Sequence, residues 1–553
     1  MADHGTVVRG IDYKATFPFI HLFRGFRLAI DPTKIAMAMA ALILLYLGGR
    51  VLDAVWPQNH RAVTGELAMY SYDSNHFRAQ RDRLAARRTE VLQSDLKDLG
   101  HADWKPTLHN VKTALEERRN RQTKAAHDIF DALPAGMKSP AAQNVLDGAV
   151  RSANAEYAAD LSSARQTAGQ GLFIHFLVYE IDQVDNLVLG AVNLQPAVVV
   201  TSIRNFFITA PAWAFIVHPI FFILFFLWLL LIGSIFGGGI TRVAAVQVAR
   251  DEKISIRQAL RFSSGKVLSF IFAPLIPLII IGVLGLILAA VTCLISLPGI
   301  GGIWSVVVGV LFFLAILAGL VMMLTAFGLI GGGNLMYPTI AAEGSDSFDA
   351  VSRSFSYIYA RPWQVAFYSA VAIIYGAITY LFVRLAIYVL LRMVHGSIDL
   401  FQWGTAADGT PIFDAMWPMP NNFMKLSFAS NTAVLGPVQS VGAFFISLWV
   451  WLTIALLGAY AISLYFSEST IIYYLLRKDV DATEMDDVYL EPSDEELSEV
   501  APAETAETTA TVTTATVTTV TATEPAGQPI DVPAPPVSPQ PDTPVDQPPP
   551  AGA

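Results

Sequence analysis

The chain lacks the residues that would tie it together covalently or charge its surface. Its 553 residues include one cysteine, Cys293, so no disulfide can close within it and no cysteine-based metal site can form. Cys293 lies inside an apolar run and reads as a small buried apolar residue. Only 15% of the residues are charged, against 54% hydrophobic, too few for an ordinary soluble protein of this length. The ten histidines are scattered. His101 and His109 are separated by Pro106 and have no third ligand beside them in the sequence. No nucleotide-binding loop, nucleophile elbow or zinc-binding helix occurs. Nothing here names a catalytic residue, a metal or a cofactor, and the expectation is a protein that is not an enzyme.

Basic residues are missing from the C-terminal part. From Glu491 onward there are eleven acids and no Lys or Arg, which more than accounts for the net charge of −10. The rest of the chain is nearly neutral, so no general attraction to nucleic acid is expected. The stretch 479–553 is acidic and rich in Thr and Pro. It cannot bury enough apolar surface to offset its ordering entropy, and a disordered tail is expected.

Long apolar runs are what the chain has in abundance, and runs of this length need a bilayer. The expected fold class is an all-α integral membrane protein with six transmembrane helices, at about 35–56, 213–236, 267–297, 303–330, 364–394 and 441–466. Before the first span, Phe19, Ile20, Phe23 and Phe26 fall near one face of an interfacial helix within residues 1–34. Asp31-Pro32 supplies a cap and a first-turn proline for the span. The charged region 57–171 reads as a helical-hairpin domain with three blocks, at about 75–99, 105–133 and 141–167; coiled-coil character is expected although its heptads are irregular. Residues 172–210 carry two apolar stripes, the first interrupted by Glu180, Asp182 and Asp185, and are placed as interfacial helices. A polar loop, 397–440, precedes the sixth span. Between them, 211–396 forms a membrane module of two hairpins.

That module states one pattern twice. Gly237-Gly238-Gly239 leads through Arg242 and Arg250 to Glu252, with Ala259 seven and Ser263 eleven residues after the Glu. Gly331-Gly332-Gly333 leads to Glu343, with Ala350 and Ser354 at the same spacings. Two parallel hairpin repeats are expected, each turning through a short polar elbow helix. In the first elbow, Ser255-Ile256-Arg257-Gln258 has the form of a capping box. Ala and Ser four apart share a helix face, which would let the elbow helix lie close to its spans. The glycine runs suit close helix packing; their alternative is an unwound segment on a pathway.

At the elbows, Gly237-Gly238-Gly239-Ile240-Thr241-Arg242, Val248-Ala249-Arg250-Asp251-Glu252 and Tyr337-Pro338-Thr339-Ile340-Ala341-Ala342-Glu343 resemble a loose class of uncharacterised bacterial multi-pass proteins. Among named families the chain resembles the membrane domain found beside glycerophosphodiester phosphodiesterase, over about 213–395. The resemblance implies a helical membrane module without known catalytic residues. The phosphodiesterase barrel has no counterpart in this sequence, so that activity is not implied.

The first elbow has six Lys or Arg and the first thirty-four residues five, whereas the turn at Pro298 has none. The positive-inside rule therefore puts both termini and both elbows in the cytoplasm of a cell membrane, and the helical domain outside. The expected partners are membrane lipids and proteins on both faces. Two functions stay open, a scaffold or accessory subunit of a membrane complex, and a transporter or lipid-handling protein with a pathway between the repeats.

Overall fold

The computed structural model describes residues 17–490, except 58–60, 64, 74–75, 170, 407–408, 427 and 429. The tail expected beyond Leu490, and the chain before Phe17, lie outside the described residues. A 3₁₀ turn, Pro18–Arg24, and the short helix α1 (Gly25–Ala29) form an entry segment. The Asp31 side chain then accepts the Thr33 N–H (2.9 Å) and starts α2 (Pro32–Val55). At the far end of α2, Asp53 accepts the N–H groups of Phe173 (2.8 Å) and Ile174 (3.1 Å), fixing the start of α7. These two ends of α2 define the molecule's base and crown.

The crown holds α3 (Glu66–Tyr72), α4 (Phe77–Asp98), α5 (Leu108–Asp131) and α6 (Pro140–Ala168). Thr107 and Ser139 cap α5 and α6 with their side chains, which is why those helices begin after the prolines that punctuate the sequence. Leu92, Leu96, Val111, Leu115 and Leu161 form a common core, so the three long blocks pack as one unit. Next come α7 (Leu172–Val192), α8 (Pro196–Arg204), a π turn at Asn205–Thr209 and α9 (Ala210–Val217). Helices α7 and α8–α9 make an antiparallel hairpin. Asn205 donates to Gln183 (3.2 Å), and Gly190 lies against Val198.

After His218 the chain returns to the base through α10 (Pro219–Ile232), a π turn at Gly233–Gly237 and α11 (Gly238–Arg250). There follow α12 (Ile256–Gly265), α13 (Val267–Ile295), α14 (Gly301–Glu343), α15 (Ser347–Ala360), α16 (Pro362–Asp399), α17 (Ile412–Met416) and α18 (Pro437–Asp481). The 43 residues of α14 and 45 of α18 make rods of about 65 Å, roughly twice a hydrocarbon core. Each therefore extends well past its apolar run.

Among the described residues, seven helical stretches are long and apolar enough to cross a membrane: Pro32–Val55, Pro196–Val217, Pro219–Arg250, Val267–Ile295, Gly301–Glu343, Pro362–Asp399 and Pro437–Asp481. The architecture is that of a helical multi-pass membrane protein. Six of the seven overlap the expected spans, but the second, expected at 213–236, begins only at Pro219. The seventh, Pro196–Val217, takes in the end of the stretch read as interfacial and the first residues of that expected span, because α8 and α9 run on as one helix through the π turn.

Packing is concentrated at the base. Every residue from Gly238 to Val248 and from Ser467 to Arg477 is buried, which a helix shows only when surrounded on all sides. The ends of α11, α14 and α18 pack on one another there, covered by α12 and α15. The α13–α14 hairpin is the opposite. Between Pro277 and Thr325 its only buried residue is Gly301, at the turn. Cys293 lies on this uncovered part, on the surface rather than in the protein interior.

Candidate functional site

Both elbows sit at the base. In the first, α11 ends at Arg250, Asp251 takes the left-handed conformation (φ 56°), and Ser255 with Gln258 closes the capping box that starts α12. In the second, α14 ends at Glu343, Gly344 is left-handed (φ 65°), and Asp346 caps α15 through the Asp349 N–H (2.9 Å). Ala259, Ser263, Ala350 and Ser354 are all fully buried. Each serine faces a glycine of the preceding helix. A Cβ on Gly239 would lie 3.6 Å from Ser263 Oγ, and one on Gly332 would lie 3.3 Å from the Ser354 carbonyl oxygen.

The glycine triplets are helical in both places. A Cβ on Gly237 would meet the Phe466 ring at 2.6 Å, and one on Gly238 the Phe270 ring at 2.8 Å. In the second triplet Gly331 and Gly332 lie against Ile358, at 3.0 and 2.7 Å from such a Cβ. Gly333 has only Leu329 nearby, at 3.7 Å.

Ion pairs and hydrogen bonds bind the hairpins together. The buried Arg242 donates to the carbonyls of Ala341 (2.8 Å) and Tyr489 (2.7 Å), with its guanidinium 4.5 Å from the Phe262 ring centre. Lys266 donates to the Gly344 carbonyl (2.5 Å). Glu343 accepts from Tyr473 (2.5 Å) and Arg353 (2.9 Å), with Arg477 at 3.4 Å. Arg477 pairs with Asp487 (2.6 Å), and Tyr357 donates to Asp481 (2.5 Å). Burial, and next to it Asp481, push the Tyr357 hydroxyl well above its usual range. Burial disfavours the Arg353 guanidinium, but Glu343 together with Tyr357 and Tyr473 outweighs it and holds the charge more firmly than usual.

The expected pairing of the two glutamates does not survive this geometry. Glu343 is the last residue of α14 and the centre of the network, whereas Glu252 is exposed in the elbow loop. The reason is loop length. Four residues separate Arg250 from the cap Ser255, but two separate Glu343 from Asp346. Equal spacing to the alanines therefore puts Glu343 on a helix and Glu252 off one. Arg250 occupies the helix end equivalent to Glu343 and is exposed. The start of the presumed tail is also structured. Helix α18 runs to Asp481, and Tyr489 donates its N–H to the Ala342 carbonyl (2.7 Å).

Two polar groups outside the elbows, Lys34 and Glu468, escape the sequence reading, and a third, Glu180, is read there only as a break in the apolar stripe of an interfacial helix. Lys34, fully buried, donates to Ser467 (3.1 Å). Beside it in sequence, Glu468 is 5% exposed, and neither carboxylate oxygen has a partner among the described residues. Its signal was available: one acid in Phe466-Ser467-Glu468-Ser469-Thr470-Ile471, a stretch otherwise free of charge. At the crown, Glu180 sits in the apolar stripe of α7 with both oxygens unpartnered, and burial pushes its carboxyl up to about 8. Comparison with protein-family models, curated proteins and solved structures gave no match for this chain.

Proposed function

We propose that the chain is a non-catalytic scaffold or accessory subunit, crossing a bacterial cytoplasmic membrane six times with both termini and both elbows cytoplasmic. The observation that carries the reading is the contrast between the base and the α13–α14 hairpin. At the base, Arg242, Arg353, Glu343 and Arg477 are held by protein groups, which suits a rigid platform rather than a reacting centre. The uncovered hairpin offers apolar surface to lipid or to a membrane partner. The segment Pro196–Val217 is a crown hairpin in this reading and not a seventh span. His218 at its end bonds Glu66 of the crown (3.1 Å), while Asp185 on the paired α7 bonds Arg384 (2.6 Å). Arg384 also donates to the carbonyls of Phe423 and Met424, in the loop beyond α16. The elbows are parallel repeats: a long helix, a left-handed residue, a capped short helix, and an Ala–Ser face on a glycine.

A transporter or lipid-handling function is the second reading. Glu468 favours it, since a carboxyl buried in a membrane bundle without a partner among the described residues is costly and usually kept for function, and Glu180 is a second such group in the crown hairpin. Gentle purification followed by mass spectrometry of bound proteins and lipids separates the two. A stoichiometric protein partner is expected. One tightly held lipid class with no protein would move the second reading to first place.

A further inference from the structure

The foot of the crown domain, α3, rests on a buried polar cluster drawn from four other places in the chain. Glu66 is fully buried. Its Oε2 accepts the Val63 N–H (2.8 Å), and its Oε1 accepts from Trp213 Nε1 (3.3 Å) and His218 Nε2 (3.1 Å), with Arg81 Nε at 3.4 Å. Burial alone would raise the Glu66 carboxyl, but these donors and charges hold it below the usual range. The next residue, Leu67, is fully buried too, and its backbone N–H donates to His175 Nε2 of α7 (3.2 Å).

That last bond fixes a protonation state. An imidazole nitrogen accepts an N–H only through its lone pair, so the ring must be neutral with its proton on Nδ1. Burial favours the same state and lowers the His175 pKa; the Glu66 carboxylate opposes this and His218 reinforces it. The groups that act on the ring are Glu66 on α3 and Trp213 and His218 at the end of α9, with Arg81 and Arg88 of α4 beside Glu66. A proton arriving at Nε2 would set two N–H groups against each other in a half-buried cluster. Either the ring or α3 must then move.

We propose that this junction is a proton-operated release: protonation of His175 undocks α3, and with it the foot of the domain formed by α3–α6, from the α7–α9 hairpin. The sign follows from the lowered pKa. Docking is fully supported above the ordinary imidazole value of about 6.5 and weakens as pH falls through it toward the lower docked-state value. Across that window the opening equilibrium of α3 rises about tenfold per pH unit. Hydrogen exchange of the full-length protein in lipid nanodiscs reads this directly, once corrected for intrinsic rates. Peptides covering 65–72 should lose protection on going from about pH 7.5 to about pH 5, while α14 peptides keep theirs. His175→Gln offers a carbonyl acceptor that takes no proton, and should hold protection at both pH values. His218→Gln should retain the acid response. An unchanged wild-type α3 across the series would overturn the proposal, as would an acid response that survives in His175→Gln or disappears in His218→Gln. If neither variant assembles, the wild-type series alone decides.

Discussion

Glu343 and Glu252 differ in what they touch, although they share a spacing to alanine and serine. Glu343 is held by Tyr473, Arg353 and Arg477 in a largely closed site. Glu343→Gln removes the negative charge that Tyr473, Arg353 and Arg477 share, while Arg477 keeps Asp487 and Arg353 is half exposed, so the loss should be about 1.5–3 kcal/mol. Glu252→Gln alters an exposed loop and should stay within about 0.5 kcal/mol. Thermal unfolding of the two variants in one detergent is the measurement. A Glu343→Gln midpoint equal to wild type would show that the network is not a structural clasp. The difference between the two acids could not be read from spacing, because the loop that sets it differs by two residues and contains no proline or repeated motif to mark the helix end.

Among the elements, the elbow helices and glycine runs make packing predictions that differ from site to site. Leu in place of Ala259 or Ala350 puts three carbons more into a fully buried position, and should cost about 1–3 kcal/mol of overpacking with a lower yield of assembled protein. Gly237→Ala and Gly238→Ala drive a methyl into the rings of Phe466 and Phe270 and should also lower yield. Gly333→Ala meets nothing closer than 3.7 Å and should stabilise α14, since alanine is the better helix former by about 0.8–1.0 kcal/mol. Detergent-extracted yield and unfolding midpoints across this set test the geometry; equal effects at Gly238 and Gly333 would refute it. The capping box at Ser255, the helix start at Asp31-Pro32 and the three crown blocks were legible because short-range chemistry sets them. Lys34 donating to Ser467, Arg242 reaching Ala341, and Leu67 donating to His175 were not, since each joins residues about a hundred or more positions apart through tertiary packing alone.

On the scale of the whole molecule, the six-span reading fixes which loops share a side. Reporter fusions at Gly136 and Gly409 should report outside and one at Asp346 inside, from run lengths and the elbow charges. A fusion at Gln195, between α7 and α8, discriminates further. It should report the same side as Gly136; an inside signal would make α7 and Pro196–Val217 both spanning helices. The apolar runs made most of this topology readable, whereas the fate of 172–217 depended on what α7 and α9 touch.

The hairpin of α13 and α14 is fastened only at the base, and its consequence is mechanical. Between Pro277 and Ile295, and from Gly301 forward to Met323, no residue but Gly301 at the turn is buried, and the first bond from a neighbouring helix is that of Tyr359 to the Leu324 carbonyl. The inclination of such a pair is decided by the lipid around it: a thinner bilayer lays it over, and a thicker one stands it upright. Because both rods continue into the packed base, that lean pulls directly on Phe270, Gly332 and the elbow helices. The hairpin is a lever whose long arm is read by bilayer thickness and whose short arm ends among the elbow side chains.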